Sequence, residues 1–233
     1  MPRAYAYPAD MRATRDLMRR RLLFVRQRGS LLAHVQITHH QYNVDPPGKR
    51  ITYRSNREGL GEGFEDSSVR HSIAADLALA DHYEVTIGEL ELAVLRQARI
   101  HDPNALALLT SVPGIGKVLA LTILYEIHDI SRFPSVRDFA SYSRLVKCER
   151  TSAGKSLGSG GNKIGNAYLK WAFSEAAVLF IAKSEQGRTV LTRLERKYGK
   201  PKALSVLAHK LGRAVYYMLA RKQAFDPQRF ATS

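Results

Sequence analysis

From Asp10 to about His40 the apolar residues Met18, Leu22, Val25 and Leu32 recur at spacings of three, four and seven, which predicts one face of a long helix. Asp10 stands where an N-cap would. The rhythm breaks between 43 and 67, where Asn43, Pro46, Pro47, Gly48, Gly59, Gly61 and Gly63 predict an irregular connection. A second stripe then runs from about Ser68 to Ile100 through Ile73, Leu77, Ala80, Tyr83, Ile87, Leu90 and Val94, with acidic residues on the opposite side. Two long amphipathic helices joined by a loop predict an antiparallel hairpin or coiled-coil arm over 1–100, usable for homo-oligomer formation.

His101, Asp102, Pro103 and Asn104 mark a boundary. Beyond it the pattern shortens into helical stretches at Ala105 to Thr110, Lys117 to Ile127, Val136 to Tyr142, Asn166 to about Lys183, Thr189 to Tyr198, and Pro201 to about Lys222. Ser135 with Asp138 three residues on predicts a capping box, and Pro201 suits a first helical turn. Residues 101–233 therefore read as a compact all-helical domain, and the whole chain as mainly α.

At 233 residues and 45% apolar content, the chain can bury a proper core in one large or two small domains. Cys148 is the only cysteine, which excludes an internal disulfide and a multi-cysteine zinc site. The start lacks an apolar signal region, and the longest apolar run, Ala176 to Ala182, is far short of the roughly 20 residues that span a bilayer. A cytoplasmic protein without a membrane partner is the expectation.

Charge adds a partner. The net +15 arises from 36 Lys and Arg against 21 Asp and Glu, an excess that suits a polyanion such as DNA or RNA. Residues 1–57 carry 12 basic and 3 acidic side chains, 58–100 carry 3 and 9, and 101–233 carry 21 and 9. Two basic segments flanking an acidic spacer are expected if the two ends touch nucleic acid. Arg12, Arg15, Arg19 and Arg26 share the helical spacing and would form a basic stripe, although a solvated helix face produces the same pattern.

Two further segments could carry chemistry. Val112, Pro113, Gly114, Ile115, Gly116 and Lys117 join two apolar helical stretches in the pattern of a helix-hairpin-helix. Glycines at a helix start leave backbone N–H groups open to a phosphate, and Lys117 adds a charge there; a tight turn that binds nothing is the plain alternative. Between Lys147 and Asn166, Gly154, Gly158, Gly160, Gly161 and Gly165 are interleaved with Ser152, Ser156 and Ser159 and with Arg150, Lys155 and Lys163. Such a composition cannot form a core, so the segment is a linker or a loop that wraps a ligand. Gly154-Lys155-Ser156 imitates the end of a P-loop, but Glu149 occupies the position of that motif's first glycine.

Taken in order, these pieces resemble a known family. Leu108 to Phe180 is similar to the C-terminal domain of the DEDD insertion-sequence transposases, the IS-one-ten group, some of which are bridge-RNA-guided recombinases. The likeness rests on Val112 to Gly116, Arg132 to Pro134, Ala140 to Val146, Ser152-Ala153-Gly154-Lys155, Asn162 to Asn166 and the helix Tyr168 to Ala177. Tyr7 to Tyr42 resembles the family's helical connector. The resemblance implies DNA transposition with Ser152 as the nucleophile that becomes joined to DNA, and Thr151, Ser156 and Ser159 as substitutes. By their placement in sequence Lys147, Arg150 and Lys155 could supply charge-stabilising cations, and Gly114, Gly116, Lys117, Lys163, Asn166, Arg12, Arg15 and Arg19 are the further candidate nucleic-acid contacts. DNA is the implied partner and, for the RNA-guided members, a guide RNA as well.

The chain departs from the family in one respect. Members begin with a RuvC-like domain whose four acidic residues bind divalent metal, and this sequence starts beyond that point. Asp10, Asp16, Glu126, Asp129 and Asp138 are scattered and read as caps or helix-surface charges. No metal ligand is assigned to this chain, Mg2+ is expected to enter through the RuvC-like domain, and the chain alone is expected to bind DNA without cutting it. The rival reading is a non-catalytic helix-hairpin-helix protein that binds nucleic acid.

Overall fold

The computed structural model describes residues 5–146, 148–152, 155–160 and 165–232, the middle two segments as backbone. The long helices are α1 (Ala9–Gln41) and α2 (Ser67–His101). The shorter ones are α3 (Pro103–Thr110), α4 (Lys117–Ile127), α5 (Val136–Tyr142), α6 (Ala167–Lys183), α7 (Glu185–Tyr198), α8 (Lys200–Arg221) and α9 (Pro227–Thr232). Between α5 and α6 lies one two-stranded antiparallel hairpin, β1 (Cys148–Ser152) with β2 (Lys155–Gly160). The mainly α class holds, while the Gly/Ser segment forms strands rather than the expected linker or irregular loop. Packing divides the chain into one unit of Asp16–Val94 and a second that joins the residues up to Arg15 with Leu95–Ser233.

In the first unit the expected stripes bury. Leu32 and Val35 from α1, Ile51 and Phe64 from the connection, and Val69, Ile73 and Ala80 from α2 make one cluster, with Leu77 packed against it. The connection is also tied down by polar groups. Arg57, with only 4% of its side chain exposed, donates to the carbonyls of Ile51 (2.8 Å) and Thr52 (3.1 Å) and pairs with Asp81 and Glu84 of α2. The breakers between 43 and 67 therefore end a helix without loosening the chain.

The second unit centres on α4, where every residue from Leu119 to Ile127 is buried, and on α6, which packs against α4, α7 and α8. Local signals set most boundaries. Ser135 caps α5 through the Asp138 N–H, Asp102 caps α3 by accepting from Ala105 (2.8 Å), and Pro201 lies in the first turn of α8. Asp10 falls inside the first turn of α1 rather than before it, since that helix begins at Ala9. No helix among the described residues is long and apolar enough to cross a membrane.

Candidate nucleic-acid interface

The turn between α3 and α4 holds two glycines with different duties. Gly114 sits at φ +93°, and a Cβ there would come within 2.5 Å of the Phe180 backbone nitrogen. Only glycine lets the turn lie against α6, so this position serves packing rather than an open phosphate cradle. Gly116 is the N-cap of α4, exposed, with nothing within 4 Å of where a Cβ would stand. No side chain caps the helix there, and Lys117 beside it is exposed. The start of α4 is thus exposed and uncapped at Gly116 and Lys117, an arrangement that favours an anion.

The hairpin is rooted in the fold at both ends. On the entry side Leu145 packs onto Gly212 of α8, where a Cβ would overlap it. On the exit side Gly165 adopts φ +99° with its Cα against the Tyr142 carbonyl, and the Asn166 N–H donates to that carbonyl at 2.6 Å. Asn166 is 7% exposed and fully engaged: its Oδ1 accepts from Tyr168 and Leu169, and its Nδ2 donates to Glu126 at 2.6 Å and to Tyr142 Oη at 3.3 Å. These bonds make Asn166 a cap and an anchor, which leaves it no free group for nucleic acid. Glu126, read from sequence as a cap or surface charge, is instead 4% exposed because α4 is buried almost all round. Together with Tyr142 it forms the hairpin's seat, and only its partner across 40 positions of sequence reveals that role.

Within the hairpin Cys148 pairs with Gly160, Glu149 with Ser159, Thr151 with Ser156, and Ser152 with Lys155. The register shifts between Glu149 and Thr151, which places Arg150 at the irregularity. Ser152 ends β1 directly opposite Lys155 at the start of β2. Lys147 and Lys163 lie outside the described residues.

The N-terminal arginines have local partners. Arg12 donates to the Tyr7 carbonyl at 2.6 Å, and Arg15 stacks over the Tyr7 ring at 4.0 Å. Arg19 is likewise engaged. Tyr7 donates to the Tyr125 carbonyl at 2.8 Å, and Arg132 lies over the rings of Tyr5 (3.9 Å), Phe133 and Tyr142 (both 4.7 Å). Burial pushes the Tyr125 phenol up to about 12, opposed by a hydrogen bond with Thr14, so it stays neutral in the core. Hydrogen bonds from Ser131 hold Asp129 below the usual carboxylate range, where it caps a short turn.

No group of three or more His, Cys, Asp or Glu among the described residues could hold a metal ion. Asp129 and Asp138 each serve a local cap and Glu126 a bond to Asn166 across 40 positions, so these three side chains are not gathered as a divalent-metal centre would need.

The segment that holds both the uncapped start of α4 and the rooted hairpin with its serine is the part of the chain that known proteins share. Residues 106–191 match the model of the Transposase IS116/IS110/IS902 family. Over 119 residues the chain is 25% identical to the "Transposase for insertion sequence element IS1111A" of Coxiella burnetii (strain RSA 493 / Nine Mile phase I). That stretch covers 49% of this chain and 33% of the relative, so the chain spans about a third of that protein's length. Residues 106–191 are thus similar to the domain of the IS116/IS110/IS902 transposases, and the rest of the chain lies outside that match.

Proposed function

We propose that this chain handles DNA for an insertion-sequence transposase and supplies the serine that is joined to it. The observation that carries the reading is the position of Ser152, at the tip of a hairpin and opposite Lys155, inside the family-matched segment. In the reaction the Ser152 hydroxyl oxygen bonds to phosphorus while a deoxyribose oxygen leaves. The serine proton passes to a base and the leaving oxygen gains one. The phosphoester is exchanged rather than hydrolysed, so religation needs no energy source. Lys155 and Arg150 would offset the charge that builds on the non-bridging oxygens.

In this reading the N–H groups at the exposed start of α4 and Lys117 hold a backbone phosphate as a helix-hairpin-helix would, and fix position without reading sequence. Divalent metal assists phosphoryl transfer by lowering the hydroxyl's pKa and fixing geometry. The carboxylates that would hold it must come from outside the residues described here.

The test transplants this chain's transposase domain into the matching stretch of the Coxiella burnetii transposase and traps protein on labelled insertion-end DNA in Mg2+ on a denaturing gel. A covalent adduct that disappears in Ser152→Ala, with DNA binding retained, is expected. An adduct that survives Ser152→Ala assigns the nucleophile elsewhere, with Thr151, Ser156 and Ser159 next to be replaced.

A further inference from the structure

Away from the hairpin, α7, α8 and α9 enclose a cleft of about 830 Å³ within the second unit, a volume typical of ligand sites. Its long wall is one stripe of α8, where Lys210, Arg213, Tyr217 and Arg221 follow at helical spacing. Arg229 of α9 and Tyr198 at the end of α7 complete the rim.

Among the described residues, the arginines of this cleft have no carboxylate to answer them. Its one carboxylate, Asp226, accepts from the N–H groups of Gln228 (2.9 Å) and Arg229 (3.0 Å) and so caps α9. Arg213, Arg221 and Arg229 are exposed, and among the described residues none of them has an ion-pair partner. The crowding shows in the neighbouring groups: His209 is held below its ordinary value by burial and then by Arg213, and Lys210 by burial and then by Arg193 and Arg213. Gathering like charges in one concavity is unfavourable unless an anion neutralises them.

The rings narrow the choice of anion. Tyr198 is 43% exposed and Tyr217 37%, and Arg221 lies 4.8 Å over the Tyr217 ring. The floor is fixed, because Phe180, Phe225 and Phe230 pack edge-on or tilted at 5.1 to 5.8 Å and Arg193 donates to the Ala231 carbonyl at 2.7 Å. A rigid cleft with alternating arginines and part-exposed tyrosines matches a chain that offers phosphates and planar faces in alternation. A duplex presents phosphates and base edges but no free base faces, since its bases are stacked inside, and an acidic peptide presents no planar face in register with phosphates. An unpaired strand presents both phosphates and free base faces.

We propose that the α8–α9 cleft binds single-stranded nucleic acid, with phosphates on Arg213, Arg221 and Arg229 and a base against Tyr217. This site is independent of the Ser152 reading, because none of its residues belongs to the hairpin or its seat.

Fluorescence polarisation of the full chain with labelled oligothymidylate, oligouridylate and a duplex of equal length tests it. Replacing Arg213, Arg221 and Arg229 together by Ala should flatten the dependence of log affinity on log salt for the single strands by about 2, and the Lys triple should preserve it. Tyr217→Leu should weaken single-strand binding at least about fivefold while leaving the duplex within about twofold, and Tyr217→Phe should bind as the parent does. A preference between the two single strands assigns the site to RNA or to DNA. An unchanged salt slope in the Ala triple, or a Tyr217→Leu effect that is absent or equal on duplex and single strand, overturns the proposal. All four positions are exposed, and matched thermal melts of the variants separate lost binding from lost fold.

Discussion

The two units of this chain spend their positive charge in opposite ways. Residues 16–94 carry 10 Lys and Arg against 11 Asp and Glu, and their arginines are answered across α1, α2 and the connection: Arg21 by Glu91, Arg28 by Glu84, Arg54 by Asp81, and Arg57 by Asp81 and Glu84. The remaining residues carry 26 basic against 10 acidic side chains. There the carboxylates Glu126, Asp129, Asp138 and Asp226 are used in caps and anchors, which leaves cations such as Lys117 and Arg213 facing outward. The acidic segment 58–100 is thus a counter-charge for its neighbouring helix, and a net +15 for the whole chain describes mostly one unit. Total charge locates no interface; pairing does.

The sharpest way to break this contrast is to damage one unit alone. Gly114→Val forces a side chain into the Phe180 backbone at a left-handed φ, and should destabilise the second unit by about 4 kcal/mol in a denaturant melt. Gly116→Ala meets no atom and should stay within about 0.5 kcal/mol, so equal effects from the two would contradict their assigned duties. The corresponding break in the first unit is Arg57→Ala. It strips the Ile51 carbonyl of its side-chain donor and leaves Thr52, Asp81 and Glu84 to Arg28 and Arg54 alone, and should cost about 2 kcal/mol, discounted because Asp81 and Glu84 are part-exposed. An unshifted melt would mean that the connection holds without it. The smallest effect sharpens the comparison most. Lys117→Ala should weaken duplex binding by about 1 kcal/mol and reduce the salt slope by about 1, whereas Arg21→Ala, which removes a cation already paired with Glu91, should change affinity less than about twofold.

The helices were legible because their boundaries are local. Asp102, Ser135 and Pro201 each act within one turn, and the stripes of α1 and α2 bury as their spacing required. The hairpin was not legible, because glycine and serine offer no alternating apolar face and β1 meets β2 through the backbone. Nor was the start of α7, where Ser184 caps by accepting from the Gly187 N–H and that glycine is needed to lie against Phe180. Of the site residues read from sequence, Ser152 and Lys155 fall at the hairpin tip and Gly116 and Lys117 at the exposed start of α4, whereas Gly114 and Asn166 are engaged within the fold. Gly114 is required by α6 and Asn166 by Glu126, contacts made across 66 and 40 positions that no local pattern encodes.

The division of labour between the units is tested most directly by hydrogen exchange on the full chain, with and without saturating duplex DNA. Slowed exchange is expected in the second unit, at the α4 start around Gly116 and Lys117 and along β1 and β2, with peptides from residues 16–94 unchanged. Protection centred on the arginines of α1 in the first unit, with the α4 start and the hairpin unaffected, would contradict it.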